Sequence, residues 1–381
     1  MKPAFRGVRP LVYQAAALAA TLLLAAYLVS NTLENLAERN IASGFAFLER
    51  EAGFAIGETT FLAYSAADTY LRALAVGVVN TLRVSLVGIV AATLLGTLIG
   101  IARLSRNWLL ARLAGAYVEF VRNVPLLVQL FFLYAWMTEY LPAPRAALSP
   151  LPGVYLSNRG IFVPAPADPA LGWTALALLC GAAAAFGFAR WAARRRSAHG
   201  GRMPVLEIGV GLVLLPPALV YFAAGAPTAF STPQLSGFNF SGGTAITPEF
   251  AALAGGLILY TAAFIAEIVR AGVLAVPSVQ FDAAYALGLT RGRALRFVVL
   301  PQALRAIVPP LTNQYLNLTK NSSLAVAIGY PDIVSIANTT INQTGQAVEG
   351  IAIIMAVYLT LSLALSALMN WYNARVALRG R

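Results

Sequence analysis

The chain alternates long apolar runs with short charged stretches. A membrane-spanning helix needs about 20 mostly apolar residues, and windows free of Asp, Glu, Lys and Arg meet that need repeatedly. They lie between Arg9 and Glu34, Arg83 and Arg103, Asp168 and Arg190, and Glu349 and Arg375. The stretch from Glu249 to Arg270 is broken only by Glu267 near its end, and the window after Arg122 extends as a span to about Tyr140. The run between Glu207 and Glu249 yields one span, residues 205–224, and then a turn-rich loop (Ala226-Pro227, Thr232-Pro233, Ser241-Gly242-Gly243). A last window between Arg305 and Lys320 resumes after the lysine. The pattern predicts an all-α integral membrane protein of about eight transmembrane helices.

The segments between the spans carry their own patterns. In residues 31–74, Leu33, Leu36, Ile41, Phe45 and Leu48 recur at near-helical spacing among Glu34, Glu38, Glu49 and Glu51, which predicts an amphipathic interfacial helix. Residues 142–169, rich in Pro, Ala and Ser, read as an external loop, and 190–204 as a short basic hairpin. Residues 108–121 read as an interfacial helix on which Glu119 and Arg122, three apart, form a local ion pair. Pro125 sets the entry of the next span, and Gln129 either lines a pathway or binds another helix. Residues 270–308 read as two short helices: Ser278 caps the first, Gly288 takes a positive φ at its end, Thr290 caps the second, and Leu300-Pro301 stops it. Phe281, Ala284, Tyr285 and Gly288 share one face of this helix–turn–helix, which suits a knob seated in a groove of a cytoplasmic partner.

Charge orients the spans. With the N-terminus inside, the inner segments hold Lys2, Arg6 and Arg9; Arg103, Arg106, Arg112 and Arg122; Arg190, Arg194, Arg195, Arg196 and Arg202; Arg270, Arg291, Arg293, Arg296 and Arg305; and Arg375, Arg379 and Arg381. The outer segments hold only Arg39, Arg50, Arg72, Arg83, Arg145 and Arg159. That asymmetry predicts N-in/C-in, and it accounts for the formal net charge of +12 without nucleic acid. The first apolar run is longer than the 7–15-residue core of a signal peptide, so it is expected to remain as a span.

Composition narrows the chemistry. Apolar residues make up 59% and charged residues 11% of the chain, against about a quarter charged in soluble domains, and mean hydropathy is +0.72. Soluble, disordered and disulfide-scaffold classes are excluded. Cys180 and His199 stand alone in their residue types, so no disulfide, thiolate metal cluster or Ser/His triad is expected, and His199 in Ser-Ala-His-Gly-Gly reads as an exposed loop residue. The lysines are Lys2 and Lys320, and Lys320 lies between Thr319 and Asn321. A P-loop needs Gly before its Lys, so this chain holds no P-loop. No catalytic residue, metal or cofactor is expected in it.

Asp282-Ala283-Ala284, Gly288 and Val298-x-Leu300-Pro301 resemble the EAA loop of type I ABC importer permeases, with Asp282 for Glu and Val298 for Ile. Glu267-Ile-Val-Arg-Ala-Gly272, Arg122-Asn-Val-Pro-Leu-Leu-Val-Gln-Leu-Phe-Phe132, Leu300-Pro-Gln-Ala-Leu-Arg305 and Lys320-Asn-Ser-Ser-Leu324 look like the polar amino-acid branch of that family. The additional first 75 residues and the inserted spans at about 170–224 are similar to its longer general L-amino-acid (glutamate/glutamine/aspartate/asparagine) permeases of Gram-negative bacteria. The resemblance implies three regions: an anchor and periplasmic segment at 1–75, a permease domain at 76–375 carrying the insertion, and a cytoplasmic tail at 376–381. It further implies a multi-pass subunit of the bacterial inner membrane that imports polar L-amino acids. Its partners would be a second, usually non-identical permease, a dimer of ATP-binding subunits docked on the EAA loop, and a periplasmic amino-acid-binding protein. Energy would come from the separate ATPase.

Lys320 is the remaining candidate. Counting a seventh span from Pro309-Pro310 puts it about 15 Å along, near the bilayer midplane, where an ammonium needs a polar cavity or a partner. Asn313, Asn317, Lys320 and Ser323 recur every three to four residues as a polar stripe. The stripe either pairs with a carboxylate of the partner permease or lines a pathway attracting a substrate carboxylate. Two other functions fit a polytopic chain: an ion-gradient-driven secondary transporter, which would show internal repeats, and a non-transporting anchor for a cytoplasmic partner.

Overall fold

The computed structural model describes residues 8–38, 43–199, 204–226 and 229–376. In chain order these form α1 (Val8–Glu38), α2 (Tyr70–Arg103), α3 (Trp108–Asn123), α4 (Leu126–Ala135), β1 (Leu148–Leu151), β2 (Val154–Ser157), β3 (Gly160–Val163), β4 (Ala165–Pro166), α5 (Pro169–His199) and α6 (Val205–Ala223). There follow β5 (Phe230–Ser231), β6 (Gln234–Ser236), β7 (Asn239–Ser241), β8 (Thr244–Ile246), α7 (Pro248–Leu274), α8 (Ser278–Ala286), α9 (Arg291–Ala294), α10 (Leu300–Asn321), α11 (Ile333–Thr344) and α12 (Ala347–Val376). Among the described residues, 7 helices are long and apolar enough to cross a membrane: Val12–Thr32, Tyr70–Arg103, Ala170–Ala192, Val205–Ala223, Pro248–Leu274, Arg291–Ile328 and Ala347–Ala374. The pair Trp108–Asn123 and Leu126–Tyr140, bent by 101°, makes an eighth if counted as one span. The chain is therefore largely helical, as its pattern of charge-free windows requires, with short strands outside the long helices.

The described parts of Met1–Phe131 and Leu253–Arg381 form one compact unit, and Phe132–Ala252 a second. In the first, α2 is capped by Thr69, whose hydroxyl accepts from Arg72 N. It packs against α7 through Gly96 and Gly100: a Cβ at Gly96 would lie 2.7 Å from the Ala262 carbonyl, and one at Gly100 2.8 Å from that of Ala266. Only glycine allows that approach. A second core joins the segment before α2 to α2 and α11 through Phe47, Tyr70, Leu74, Ile333 and Ile336. Beside it, Glu58 and Arg83 form a buried ion pair at 2.8 Å. The Asn80 side-chain amide donates to the Glu58 and Pro331 carbonyls, both at 3.0 Å.

The expected amphipathic helix of residues 31–74 does not form. Residues up to Glu38 continue α1, and Ile41 lies outside the described residues. Phe45–Glu49 is a short 3₁₀ turn, and from Arg50 to Thr69 no helix forms. The apolar residues there serve packing: Phe47 is buried against the Tyr70 ring, while the backbone pairs Glu51 with Thr69.

In the second unit, the segments on either side of α5 and α6 meet as an antiparallel sheet ordered β1-β2-β3-β8, with Ile161 opposite Ile246. Phe240 stacks on Tyr155 at 4.6 Å and meets Phe162 at 4.8 Å. The Pro-, Ala- and Ser-rich stretch at 142–169 is thus partly strand. His199 ends α5 within the helix, so its expected loop is a helical turn.

Candidate functional site

The helix–turn–helix after α7 forms as two short helices with different ends from those expected. Pro277, not Ser278, occupies the N-cap of α8, and Ser278 is its first helical residue. At the other end, Gly288 has φ +74°. Leu289 N donates to the Ala284 carbonyl at 3.1 Å and Gly288 N to that of Tyr285 at 2.9 Å, the paired bonds of a Schellman ending. Thr290 is the N-cap of α9 without a side-chain bond. Leu300-Pro301 does not stop the helix: a π-turn over Leu295–Val299 leads into α10, with Pro301 in its first turn. The wider π-turn, closed by Leu300 N donating to the Leu295 carbonyl, immediately precedes Pro301, whose nitrogen has no hydrogen to donate.

Ala284 and Ala294 are buried between these helices. Asp282 and Ala283 face outward, as do Val279, Tyr285, Leu287 (82% exposed) and Phe297 (63%). Val298 is half-buried, and Leu300 and Pro301 are exposed. Phe281 is half-buried, its ring 6.5 Å from that of Tyr285. The seven EAA-type positions Asp282, Ala283, Ala284, Gly288, Val298, Leu300 and Pro301 therefore fall on one hairpin and the helix leaving it. Their chemistry is a rigid turn bearing apolar side chains, suited to burial in a partner. Sequence reasoning missed the tie holding it: Gln302 Nε2 donates to Gln280 Oε1 at 3.1 Å and to the Val298 carbonyl at 3.0 Å.

Just before the hairpin, Glu267 bridges two helices. Its carboxylate accepts from Arg103 at the end of α2 and from Arg270 Nη2 at 2.6 Å. The Glu-x-x-Arg spacing within Glu267–Arg270 signalled half of this cluster; the other half is 164 residues away in sequence.

The expected Glu119–Arg122 ion pair is absent among the described residues. Arg122 instead lies over the Phe264 ring at 5.1 Å, because α3 buries Val118 and Val121 against Ala263 and Ala266 of α7. Gln129 binds across the bend: its amide donates to the Val121 and Val124 carbonyls at 2.9 and 3.0 Å, satisfying the open end of α3 where Pro125 interrupts the helix.

Asn313, Asn317 and Lys320 are all exposed. Asn317 also lines an open cavity of about 200 Å³ between α7 and α10, together with Gln314, Asn321, Tyr260, Thr261 and Phe264, and Ser323 donates to the Lys320 carbonyl at 2.8 Å. α10 runs unbroken through Pro309 and Pro310, so those prolines do not mark the start of a span; Lys320 lies in the last α-helical turn, and a 3₁₀ turn over Ser322–Ile328 follows directly. Gln314 and Asn321 belong to the cavity, and a polar stripe through Lys320 does not include them.

The family of binding-protein-dependent transport system inner membrane components matches residues 203–378. The general L-amino acid transport system permease protein AapQ of Rhizobium johnstonii is 47% identical over 92% of this chain and 88% of its own. YhdX of Escherichia coli is 47% identical over 97% of this chain and 95% of its own. The glutamate/glutamine/aspartate/asparagine transport system permease protein BztB of Rhodobacter capsulatus is 41% identical over 93% and 90%. Identity at this level over nearly the whole length, with candidate spans throughout, makes this a multi-pass inner-membrane protein, and the chain belongs to the permease subunits of amino-acid ABC transporters.

Proposed function

We propose that this chain is one half of the translocation pathway of an ATP-driven importer that moves polar L-amino acids from periplasm to cytoplasm. Residues 76–375 act as the permease domain, with the spans near 170–224 inserted and the N-terminus inside. A second permease, non-identical to this one, completes the pathway, a periplasmic binding protein delivers the amino acid, and two ATP-binding subunits supply the energy. The names of AapQ and BztB, a general L-amino acid and a glutamate/glutamine/aspartate/asparagine transport system permease, support the substrate class.

The observation carrying this reading is the hairpin α8–α9. Its turn is fixed by the paired bonds at Gly288, and it exposes Val279, Tyr285 and Leu287. Apolar side chains on a well-capped hairpin gain roughly 1.5–3 kcal/mol each when a partner buries them. Asp282 beside them supplies a charge for a basic group on the ATPase. The Gln280–Gln302 bond carries movement of α8 into α10, and α10 walls the cavity holding Asn317. A docking event thereby reaches candidate pathway residues through one hydrogen bond and one continuous helix.

Site-directed cross-linking tests this. In a Cys180→Ser background, Asp282→Cys should cross-link to the ATP-binding subunit in the assembled transporter, and Ser236→Cys in the β6–β7 hairpin should not. Failure of Asp282→Cys to cross-link in a complex that still hydrolyses ATP would reject the docking role.

A further inference from the structure

α2 runs unbroken for 34 residues and is tied to other elements near both ends. At Arg103 the tie is to α7. Gly96 and Gly100 leave no side chain between the two backbones. Just past that contact, Arg270 Nε and Nη2 both donate to Oε1 of Glu267, at 3.2 and 2.6 Å. Two donors from one guanidinium hold the carboxylate in place and leave Oε2 for Arg103 of α2. All three side chains are half-buried, where salt screens an ion pair less than at an open surface. α10 closes another side of α7, since a Cβ at Gly272 would strike the Ile307 side chain. α7 therefore approaches the hairpin α8–α9 with its last turns gripped between two helices, and the grip toward α2 ends in a charge pair.

Near its other end, α2 is bonded to the loop that starts α11. Asn80 and Thr81 are buried there. The Asn80 amide donates to the Pro331 carbonyl at 3.0 Å, and the Tyr330 hydroxyl donates to the Asn80 carbonyl at 3.3 Å. The Thr81 hydroxyl accepts from Ile333 N at 3.1 Å. A Cβ at Gly77 would lie 2.9 Å from the Ile333 Cα, so backbone meets backbone at this end too. Thr81 and Arg103 stand about 33 Å apart along the helix at 1.5 Å per residue. A continuous helix holds its rise over that length, so a shift imposed at one end is felt at the other.

We propose that Arg103 and Glu267 are positioning residues for energy coupling: their pair makes α2 a rod between the hairpin and the loop at 329–332. Events on the outer side then change ATP hydrolysis on the inner side, and by linkage the hairpin biases the loop in return. The proposal rests on the transport reading above, with the hairpin inside and this loop outside. It is separate from the Gln280–Gln302 bond, which leads to α10 and the cavity.

The test is the ratio of ATP hydrolysis with and without the loaded binding protein, measured on the reconstituted complex. In wild type this ratio should exceed one. Glu267→Arg, which sets three cations together, should bring it close to one while the ATP-binding subunits still co-purify. The exchange Arg103→Glu/Glu267→Arg should recover most of the stimulation, because it restores an opposite pair between α2 and α7. At the far end, Thr81→Val should lower the ratio, and Thr81→Ser, which keeps the hydroxyl, should hold it. The Thr81 variants carry the test if Glu267→Arg does not assemble. An exchange variant no better than Glu267→Arg would make Glu267 a local structural residue and overturn the rod, as would equal ratios for Thr81→Val and Thr81→Ser. Stimulation kept by every variant would overturn the rod alone. No stimulation in the wild-type complex would overturn the transport reading and the rod with it.

Discussion

The side-chain amide of Gln302, in the first turn of α10, donates to the amide oxygen of Gln280 on α8 at 3.1 Å. The hairpin also reaches α10 through the turn at Gly288, α9 and the π-turn, against which α8 packs. A neutral hydrogen bond contributes about 0.5–1.5 kcal/mol, too little to decide folding and enough to change how faithfully a movement is passed on. Gln302→Leu should leave ATP hydrolysis by the reconstituted transporter largely intact and lower the amount of amino acid moved per ATP severalfold. A transport-to-hydrolysis ratio equal to wild type would remove the bond from the coupling route.

Gly288 is a sharper test of the hairpin itself. Its φ of +74° costs an L-residue roughly 1–2 kcal/mol, and a β-branched one more. The position is otherwise open, with no atom within 4 Å of a Cβ, so backbone strain is the whole effect. Gly288→Val should insert in the membrane yet recover less of the ATP-binding subunit on co-purification, and uptake should fall with it. Gly288→Asn, a residue that tolerates this conformation, should keep most of both. Identical recovery for valine and glycine would contradict the docking role of this turn.

Asp332 gives a pH dependence with a definite sign. It caps α11 by accepting from Ser335 N at 2.8 Å, and burial pushes its carboxyl up from 3.8 to about 6. The folded state therefore holds the proton more tightly than the unfolded chain, and protonation stabilises the fold. That contribution is fully present below about pH 4 and is lost as the pH rises to about 6, a change on the order of 3 kcal/mol. The difference in Tm between wild type and Asp332→Asn should thus vary across pH 4–6 and level off above it. A difference that stays constant from pH 4 to 8 would contradict the assignment.

Lys320 and Asn317 are both exposed, and Asn317 also lines the cavity. If Lys320 attracts a substrate carboxylate, Lys320→Met should lower uptake of glutamate more than that of neutral amino acids, by about tenfold for a lost charge-assisted contact. Asn317→Ala should lower uptake of both. Equal losses for all substrates in Lys320→Met, with the second permease also released, would assign the lysine to an ion pair between subunits.

The spans were legible because a bilayer imposes a length and a composition on each one: α2, α7 and α12 fall where charge-free windows of sufficient length occur. The turn at Gly288 was legible for a similar reason, a glycine placed where a helix ends. Pro301 reads as a stop in the sequence, whereas the helical backbone continues through it behind a π-turn that has no sequence signature. The β3–β8 pairing is hidden because β8 lies on the far side of two helices, while β1, β2 and β3 pair locally within a Pro-rich stretch that reads as loop. Spacing alone pairs Arg122 with Glu119, and the ring it meets, Phe264, is distant in sequence. Gln129 and Gln302 could not be assigned for the same reason: their partners are set by bends and packing, which local patterns do not record.

The central claim is that this chain moves amino acids with energy from ATP bound elsewhere. Its most direct test is uptake into proteoliposomes holding this chain, a second permease and the ATP-binding subunits, with the amino-acid-loaded binding protein outside. ATP trapped inside should produce accumulation of a polar L-amino acid against its gradient, abolished when ATP is replaced by a non-hydrolysable analogue and unaffected by collapsing ion gradients. Accumulation driven by a proton or sodium gradient without ATP, or none with ATP in a complex that binds the loaded receptor, would contradict the account.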